Sequence, residues 1–186
     1  MDKISFQSRI RVTNPEEFYY LTSSFRNKSV NFPWTVKESL LSDKAYTQMV
    51  YDCTVCGITD GLKVLLLHIC PTIRENLKLN KIENYIKEKL NLKNNENLQG
   101  FLLGSQDSLE ASPNSIKIFN FFEKFLKENS IPYTKLRNGD SINHIAYSST
   151  SDEWIIANEN FNNKKDNSKD FLTKHFKEVE LANFDE

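Results

Sequence analysis

Residues 53–70 read CTVCGITDGLKVLLLHIC, two apolar and β-branched runs separated by Asp60-Gly61. Asp-Gly between such runs is a strong hairpin signal, because a type I′ turn needs a positive φ at both of its central positions. Both faces of both runs are largely apolar. The sequence therefore predicts a central hairpin of strands 53–59 and 62–70 that is covered on both sides.

The loop length fixes which residues of this hairpin face each other. A two-residue loop pairs Thr59 with Leu62, and the same register places Cys53 directly opposite His68. Directly opposed residues have Cβ atoms roughly 4.5–5.5 Å apart and project from the same face. A bulge in either strand would break this pairing.

A cysteine beside a histidine forms a recognisable chemical unit. The thiolate is the nucleophile, and a neighbouring imidazolium lowers the thiol pKa. The histidine can then protonate a leaving group and activate water, while a nearby backbone N–H holds the oxyanion. The alternative interpretation of Cys53 and His68 is a buried cysteine packed beside a hydrogen-bonded core histidine.

The remaining cysteines and histidines are weaker candidates for a catalytic or metal site. The register sends Cys56 to the opposite face from Cys53, so the C-x-x-C spacing does not converge on one site. We expect Cys56 and Cys70 to be small buried residues, and an odd cysteine count argues against a disulfide framework. His144 is a candidate contributor to the same cleft as Cys53, and His175 is expected on a surface helix.

Helical and strand patterns alternate around the hairpin. Apolar residues recur at helical spacing within 75–90, and Ser112-Pro113 is typical of a helix start. This order predicts a layered α/β sandwich, with helices on a mostly antiparallel sheet. The predicted elements outside the hairpin are a helix near 18–25, a turn at 31–34, helices over 75–90, 113–129 and 169–180, and strands over 98–104, 132–137, 142–147 and 153–157.

Length, charge and hydropathy narrow the class of protein. The chain has 186 residues, 39% of them hydrophobic, and a formal net charge of −1, so we expect no attraction to nucleic acid. The apolar run Val64–Cys70 is too short to span a membrane, and the N-terminus lacks an apolar signal segment. We expect a cytoplasmic protein, or one exported by a dedicated machine, with no cofactor. The oligomeric state stays open.

Residues 53–58 (CTVCGI) and 67–71 (LHICP), with an acidic residue and glycine in the turn between them, resemble the chemoreceptor glutamine deamidase CheD. That family has a cysteine at the start of one strand, and a histidine, two apolar residues and a proline at the end of the next. Residues 99–104 and 125–132 resemble the same family further on, so the resemblance covers roughly 45–157. The hairpin also resembles the catalytic domain of cytotoxic necrotizing factor and related bacterial deamidase toxins.

The resemblance implies an activity and a role for three residues. In these families a thiol attacks a glutamine carboxamide, ammonia leaves, and hydrolysis of the thioester yields glutamate. Carried over by position, Cys53 is the nucleophile and His68 the general base. CheD also uses a threonine six positions before its cysteine, where this chain has Thr47. A straight strand would hold Thr47 too far from Cys53, so this assignment requires a turn or bulge near 48–52.

The implied organisation is an N-terminal extension packed on the core (1–40), a CheD-like catalytic domain (41–157), and a polar linker with a short C-terminal helix (158–186). Tyr51-Asp52 stands where CheD has Gly-Ser. This departure favours a partner other than a chemoreceptor: a protein with a target glutamine, such as a host protein met by an injected bacterial effector.

Two other functions stay open. The first is a zinc-dependent hydrolase like the laccase-domain enzymes of the same superfamily, with His144 as its second histidine ligand. The second is a non-enzymatic interaction module that keeps the fold.

Overall fold

The computed structural model describes residues 8–25, 41–71, 79–90, 97–104, 113–138, 141–162 and 166–181. These residues form nine strands and four helices. In chain order they are β1 (Arg9–Thr13), α1 (Pro15–Thr22), β2 (Lys44–Val50), β3 (Thr54–Thr59), β4 (Val64–Ile69), α2 (Leu79–Leu90), β5 (Gln99–Gly104), α3 (Pro113–Glu128), β6 (Tyr133–Arg137), β7 (Asn143–Ser148), β8 (Glu153–Asn158), α4 (Ser168–His175) and β9 (Glu178–Glu180).

The strands form two sheets. Sheet 1 has the order β1-β8-β7-β2, and sheet 2 has the order β4-β3-β5-β6-β9. Each sheet is mixed, since β1 runs parallel to β8 and β5 runs parallel to β6, while their other pairs are antiparallel. The predicted layered α/β class is confirmed. The strands divide into two sheets instead of the single sheet predicted, although most of their pairings are antiparallel, as predicted. The N-terminal segment also supplies β1, a strand that its sequence pattern did not reveal.

Apolar side chains from both sheets meet in an inner core. Gly57 of β3 allows the closest approach, because a Cβ at this position would lie 2.2 Å from the ring of Trp154 on β8. That ring also stacks on Phe101 of β5, with centroids 4.8 Å apart. A second apolar cluster joins sheet 2 to α2 and α3, and a third joins sheet 1 to α1. The layers are therefore helix, sheet, sheet and helix.

The hairpin forms with a longer loop than predicted. Thr59 pairs with Val64 rather than with Leu62, so the loop has four residues. The Asp60 carboxylate accepts hydrogen bonds from the backbone N–H groups of Leu62 and Lys63, at 2.9 and 2.8 Å. These bonds give the backbone N–H groups of the four-residue loop their hydrogen-bond partners. The predicted two-residue turn would not need them.

The longer loop shifts the whole register by two residues. Val55, and not Cys53, lies opposite His68, so the predicted direct pairing is wrong. Because side chains alternate with a period of two, Cys53 and His68 still project from the same face. Both strands are fully buried, as predicted. Only β3 lies inside sheet 2, because β4 is at the end of the strand order, so the predicted central position of the hairpin is wrong for β4.

Most other predicted elements are confirmed with small changes of boundary. The helix predicted near 18–25 is α1, which begins after the Asn14 cap and buries Phe18. The predicted C-terminal helix is wrong at its end: it stops at His175 and β9 follows. The turn at 31–34 and positions 75–78 lie outside the described residues. None of the described helices is long and apolar enough to cross a membrane.

Candidate active site

A bulge in β2 shapes one side of the candidate site. The pairing of β2 with β7 runs regularly to Thr47 opposite Ile145, then resumes at Val50 opposite Asn143. One extra residue is accommodated between these pairs, and Met49 has a φ of 59°. A bulge of this kind bends the strand, and it lies where the assignment of Thr47 requires one. Thr47 itself is fully buried.

Thr47 and His68 are in direct contact. The Thr47 hydroxyl lies 2.7 Å from Nδ1 of His68, within hydrogen-bonding distance. The other ring nitrogen, Nε2, is buried and has no hydrogen-bond partner among the described residues. When Nδ1 carries the proton and donates it to the hydroxyl, Nε2 presents a lone pair. This tautomer leaves one basic nitrogen for chemistry.

Cys53 lies in the bend between β2 and β3. It is 9% exposed, and its thiol donates to the Asp52 carboxylate over 3.7 Å. Burial raises the pKa of the Cys53 thiol, and the nearby Cys70 and Asp52 raise it further. A thiolate at this position would lose hydration and face a second negative charge.

The resting pair is therefore neutral. Burial lowers the pKa of His68 to about 4, because desolvation disfavours the imidazolium. The expectation that an imidazolium lowers the pKa of the Cys53 thiol is wrong for this resting state: at neutral pH the site holds a thiol and an uncharged imidazole.

Two residues named from the sequence lie elsewhere. His144 is on the outer face of sheet 1, where its ring packs against Phe18 and Tyr19 of α1 with centroids 5.6 Å away in each case. It therefore cannot share a cleft with Cys53, and the zinc site that needed it is not assembled. Cys56 is fully buried in the cluster beneath α2 and α3, as predicted. Within the described part of the chain, no three His, Cys, Asp or Glu side chains group to hold a metal ion.

A chain of three buried asparagines holds the bend that carries Cys53. The Asn138 amide donates to the carbonyls of Val50 and Tyr51, at 3.3 and 2.6 Å. Asn143 donates to Asn138 over 2.6 Å, and Asn158 donates to Asn143 over 2.7 Å. All three asparagines are fully buried. Sequence reasoning missed them, since a strand-end asparagine ordinarily indicates only a turn.

The last residue of β5 completes the surroundings of Cys53. A Cβ on Gly104 would lie 2.3 Å from the Cys53 carbonyl oxygen, and its φ of 142° also favours glycine. On the other side, the buried Ser115 of α3 donates to the Asp52 carbonyl over 2.5 Å. The Gly104 backbone and the Ser115 hydroxyl thus restrain the position of Cys53.

No known protein family and no curated protein matches this chain.

Proposed function

We propose that this protein is a cysteine-dependent deamidase that hydrolyses a glutamine side chain of a protein substrate. The contact that carries the proposal is the hydrogen bond between Thr47 and His68, on the face that Cys53 shares. It holds the imidazole with Nδ1 hydrogen-bonded and Nε2 without a partner in the described part of the chain, as a general base requires. The resemblance of residues 53–58 and 67–71 to CheD supports glutamine as the substrate side chain.

The chemistry follows from a neutral thiol and a neutral imidazole. As the Cys53 sulfur attacks the carboxamide carbon, His68 takes the thiol proton on Nε2. The tetrahedral intermediate collapses when His68 gives this proton to the leaving nitrogen, which departs as ammonia. A water molecule then attacks the thioester and His68 accepts its proton; the carbon–sulfur bond breaks as His68 returns this proton to the sulfur. The products are a glutamate side chain and the regenerated thiol.

Thr47 serves this mechanism as a positioning residue. Its hydroxyl oxygen accepts a hydrogen bond from Nδ1–H of His68, which fixes the tautomer and the plane of the ring. When Nε2 becomes protonated, the same hydrogen bond stabilises the imidazolium. The buried position of Thr47 keeps water from replacing it.

The proposal is tested by incubating the purified protein with lysates and searching by mass spectrometry for glutamine converted to glutamate. We expect conversion at defined sites, loss of it in Cys53→Ser, and retention of it in the matched control Cys56→Ser. An added primary amine would divert the thioester to a transamidated product. Conversion that survives Cys53→Ser, or no conversion across bacterial and animal lysates, would overturn the proposal.

A non-enzymatic interaction module is the second candidate function. The observation that favours it is the burial of the Cys53 thiol, which raises its pKa and suppresses the thiolate. Alkylation separates the two candidates: a module predicts that Cys53 reacts slowly with iodoacetamide whatever stands at position 68. A deamidase predicts that His68→Phe slows alkylation further, since the base is lost.

We also propose the setting of this activity. A protein partner with an accessible glutamine fits the resemblance to deamidase toxins, and a bacterial effector delivered to a host cell is the form we favour. Conversion sites found only in host lysates would support it, and conversion confined to bacterial proteins would contradict it.

A further inference from the structure

The hairpin register brings two thiols together at the candidate active site. Its last recorded pair is Thr54 opposite Ile69, and the next step places Cys53 opposite Cys70. We call these two residues the cysteine pair. Directly opposed side chains project from the same face. After burial, the nearby Cys70 is the largest cause that raises the pKa of Cys53, which agrees with adjacent sulfur atoms.

Continued one step past Thr54 and Ile69, the ladder would place the cysteine pair at a non-hydrogen-bonded position. At the loop, the Asp60 N–H donates to the Lys63 carbonyl, so the next pair, Thr59 with Val64, is non-hydrogen-bonded. Val64 agrees, because its N–H and its carbonyl both bond to Ser42 on the other side. Pairs alternate from there, and the alternation makes the cysteine pair non-hydrogen-bonded as well.

This position suits a disulfide. Opposed residues at non-hydrogen-bonded sites have Cα atoms roughly 4.5 Å apart, and disulfides bridge Cα separations of about 4.4–6.8 Å. The bond can therefore form with little movement of the backbone. Neither Cys53 nor Cys70 is in a disulfide in this structure.

The first turn of α3 holds the two chain segments that carry the cysteine pair. Ser115 donates to the carbonyl of Asp52, the residue before Cys53, over 2.5 Å. Asn114 donates to the carbonyl of Pro71, the residue after Cys70, over 3.4 Å. Two consecutive helical residues thus restrain both segments at once. The cysteine pair is kept together by contacts that do not involve sulfur.

We propose that the cysteine pair is a redox modification site that a low-molecular-mass disulfide converts to a Cys53–Cys70 disulfide. The prediction that Cys70 is buried is wrong: it is the half-buried member of the pair, so it meets the oxidant first. Its thiolate attacks the external disulfide, forms a mixed disulfide and releases one thiol. The Cys53 sulfur then attacks the Cys70 sulfur and releases the second thiol. Two protein thiols are oxidised and the external disulfide is reduced to two thiols, which carry the protons.

The consequence for activity rests on the proposed function. In the disulfide the Cys53 sulfur is bonded to the Cys70 sulfur and cannot act as the nucleophile. The oxidised protein is therefore inactive, and reduction restores the activity. Cys56 takes no part, because it projects from the other face of β3 into the cluster beneath α2 and α3.

The test uses oxidised glutathione as the probe on the full chain. After incubation, the protein is alkylated with iodoacetamide and digested without reductant, and its peptides are identified by mass spectrometry. We expect a cross-linked peptide that joins Cys53 to Cys70, with loss of alkylation at both residues and recovery after dithiothreitol. Cys56→Ser, the matched control, should give the same cross-link. Cys70→Ser should give none, and its Cys53 should stay open to alkylation.

Three outcomes would overturn the proposal: no cross-link, a cross-link that includes Cys56, or glutathionylated Cys70 that does not resolve onto Cys53. The peptide readout needs no substrate, so it stands or falls separately from deamidation. If the protein deamidates but forms no cross-link, only the redox site is wrong. If the cross-link forms in a protein without deamidase activity, only the proposed function is wrong.

Discussion

The two ring nitrogens of His68 have different surroundings, and this difference is the basis of the proposed chemistry. Nδ1 is hydrogen-bonded to the Thr47 hydroxyl, while Nε2 has no hydrogen-bond partner among the described residues. A buried nitrogen without a partner reduces stability, and a catalytic base is a physical reason to keep one. Thr54, on the neighbouring strand, also has a buried hydroxyl to which the described residues offer no partner, so it gives a matched comparison.

Thr47→Val should separate positioning from packing. Valine has nearly the same shape but leaves Nδ1 without its partner, so we expect the free energy of unfolding to fall by about 1–3 kcal/mol. We also expect kcat for deamidation to fall with KM unchanged, and Thr47→Ser to restore it. Thr54→Val is the control: the Thr54 hydroxyl is unsatisfied within the described ranges, so the substitution should leave stability unchanged or raised. Urea denaturation and steady-state kinetics measure both effects, and equal loss in the two variants would contradict the role of Thr47.

The buried imidazole should make stability depend on pH. The pKa of His68 is lowered from 6.5 to about 4, so between these values the unfolded chain binds a proton that the native protein does not. The contribution of His68 to the free energy of unfolding is therefore complete above pH 6.5. It is lost as the pH falls toward 4, and the loss is roughly 3 kcal/mol at most. His144, whose pKa burial also lowers, adds an effect of the same sign.

Urea denaturation at about pH 7 and about pH 5 measures this dependence. Wild-type protein should lose more stability between the two than His68→Gln, which has no group to titrate at that position. An equal loss in both proteins would show that His68 is not the buried neutral group described.

At the scale of elements, the loop between β3 and β4 shows what a sequence pattern can and cannot determine. Asp60-Gly61 correctly indicates a hairpin, because Gly61 takes a positive φ. It does not determine loop length, since the Asp60 side chain can replace a backbone hydrogen bond. The shared face of Cys53 and His68 was predictable because an even shift preserves it, whereas their direct pairing was not.

The asparagine chain shows a longer-range limit on prediction. Asn143 and Asn158 are cross-strand partners on β7 and β8, and Asn138 follows β6 in the other sheet. Their contacts connect both sheets to the bend before Cys53. No local sequence pattern predicts such a series of hydrogen bonds, because each of the three asparagines resembles an ordinary turn residue.

Asn138→Ala should release the bend. The carbonyls of Val50 and Tyr51 would lose their donor, and we expect a loss of about 1–3 kcal/mol of stability for a buried group left unsatisfied. Since the bend carries Cys53, its alkylation by iodoacetamide should become faster. Asn129→Ala is the control, because it removes a hydrogen bond from a side-chain amide to the Phe125 carbonyl, at the end of α3 and away from the bend. Faster labelling of Cys53 in both variants would contradict a specific role of Asn138.

At the scale of the whole molecule, the C-terminal segment is part of the core. Its polar stretch predicts a linker, yet Phe161, Phe171 and Phe176 belong to the same buried cluster as Cys53. β9 also pairs with β6, and Lys135 on β6 forms ion pairs with glutamates of β9. Composition alone missed this, because widely spaced aromatic residues among Asn, Lys and Asp show neither helical nor strand periodicity.

Phe171→Ala tests whether this segment supports the active-site sheet. The side chain is 2% exposed and packs edge-on against Phe161 with centroids 5.0 Å apart. Truncation of a buried phenylalanine costs about 3–5 kcal/mol, and because the cluster includes Cys53, alkylation of that thiol should become faster as well. Tyr20→Ala is the control, since Tyr20 is 80% exposed and its loss should change stability by less than about 0.5 kcal/mol. Urea denaturation and iodoacetamide labelling measure the pair of effects. If Phe171→Ala unfolds like wild type, the segment is an appendage; if it loses stability without faster labelling, the segment stabilises the fold but leaves the position of Cys53 to the asparagine chain and α3.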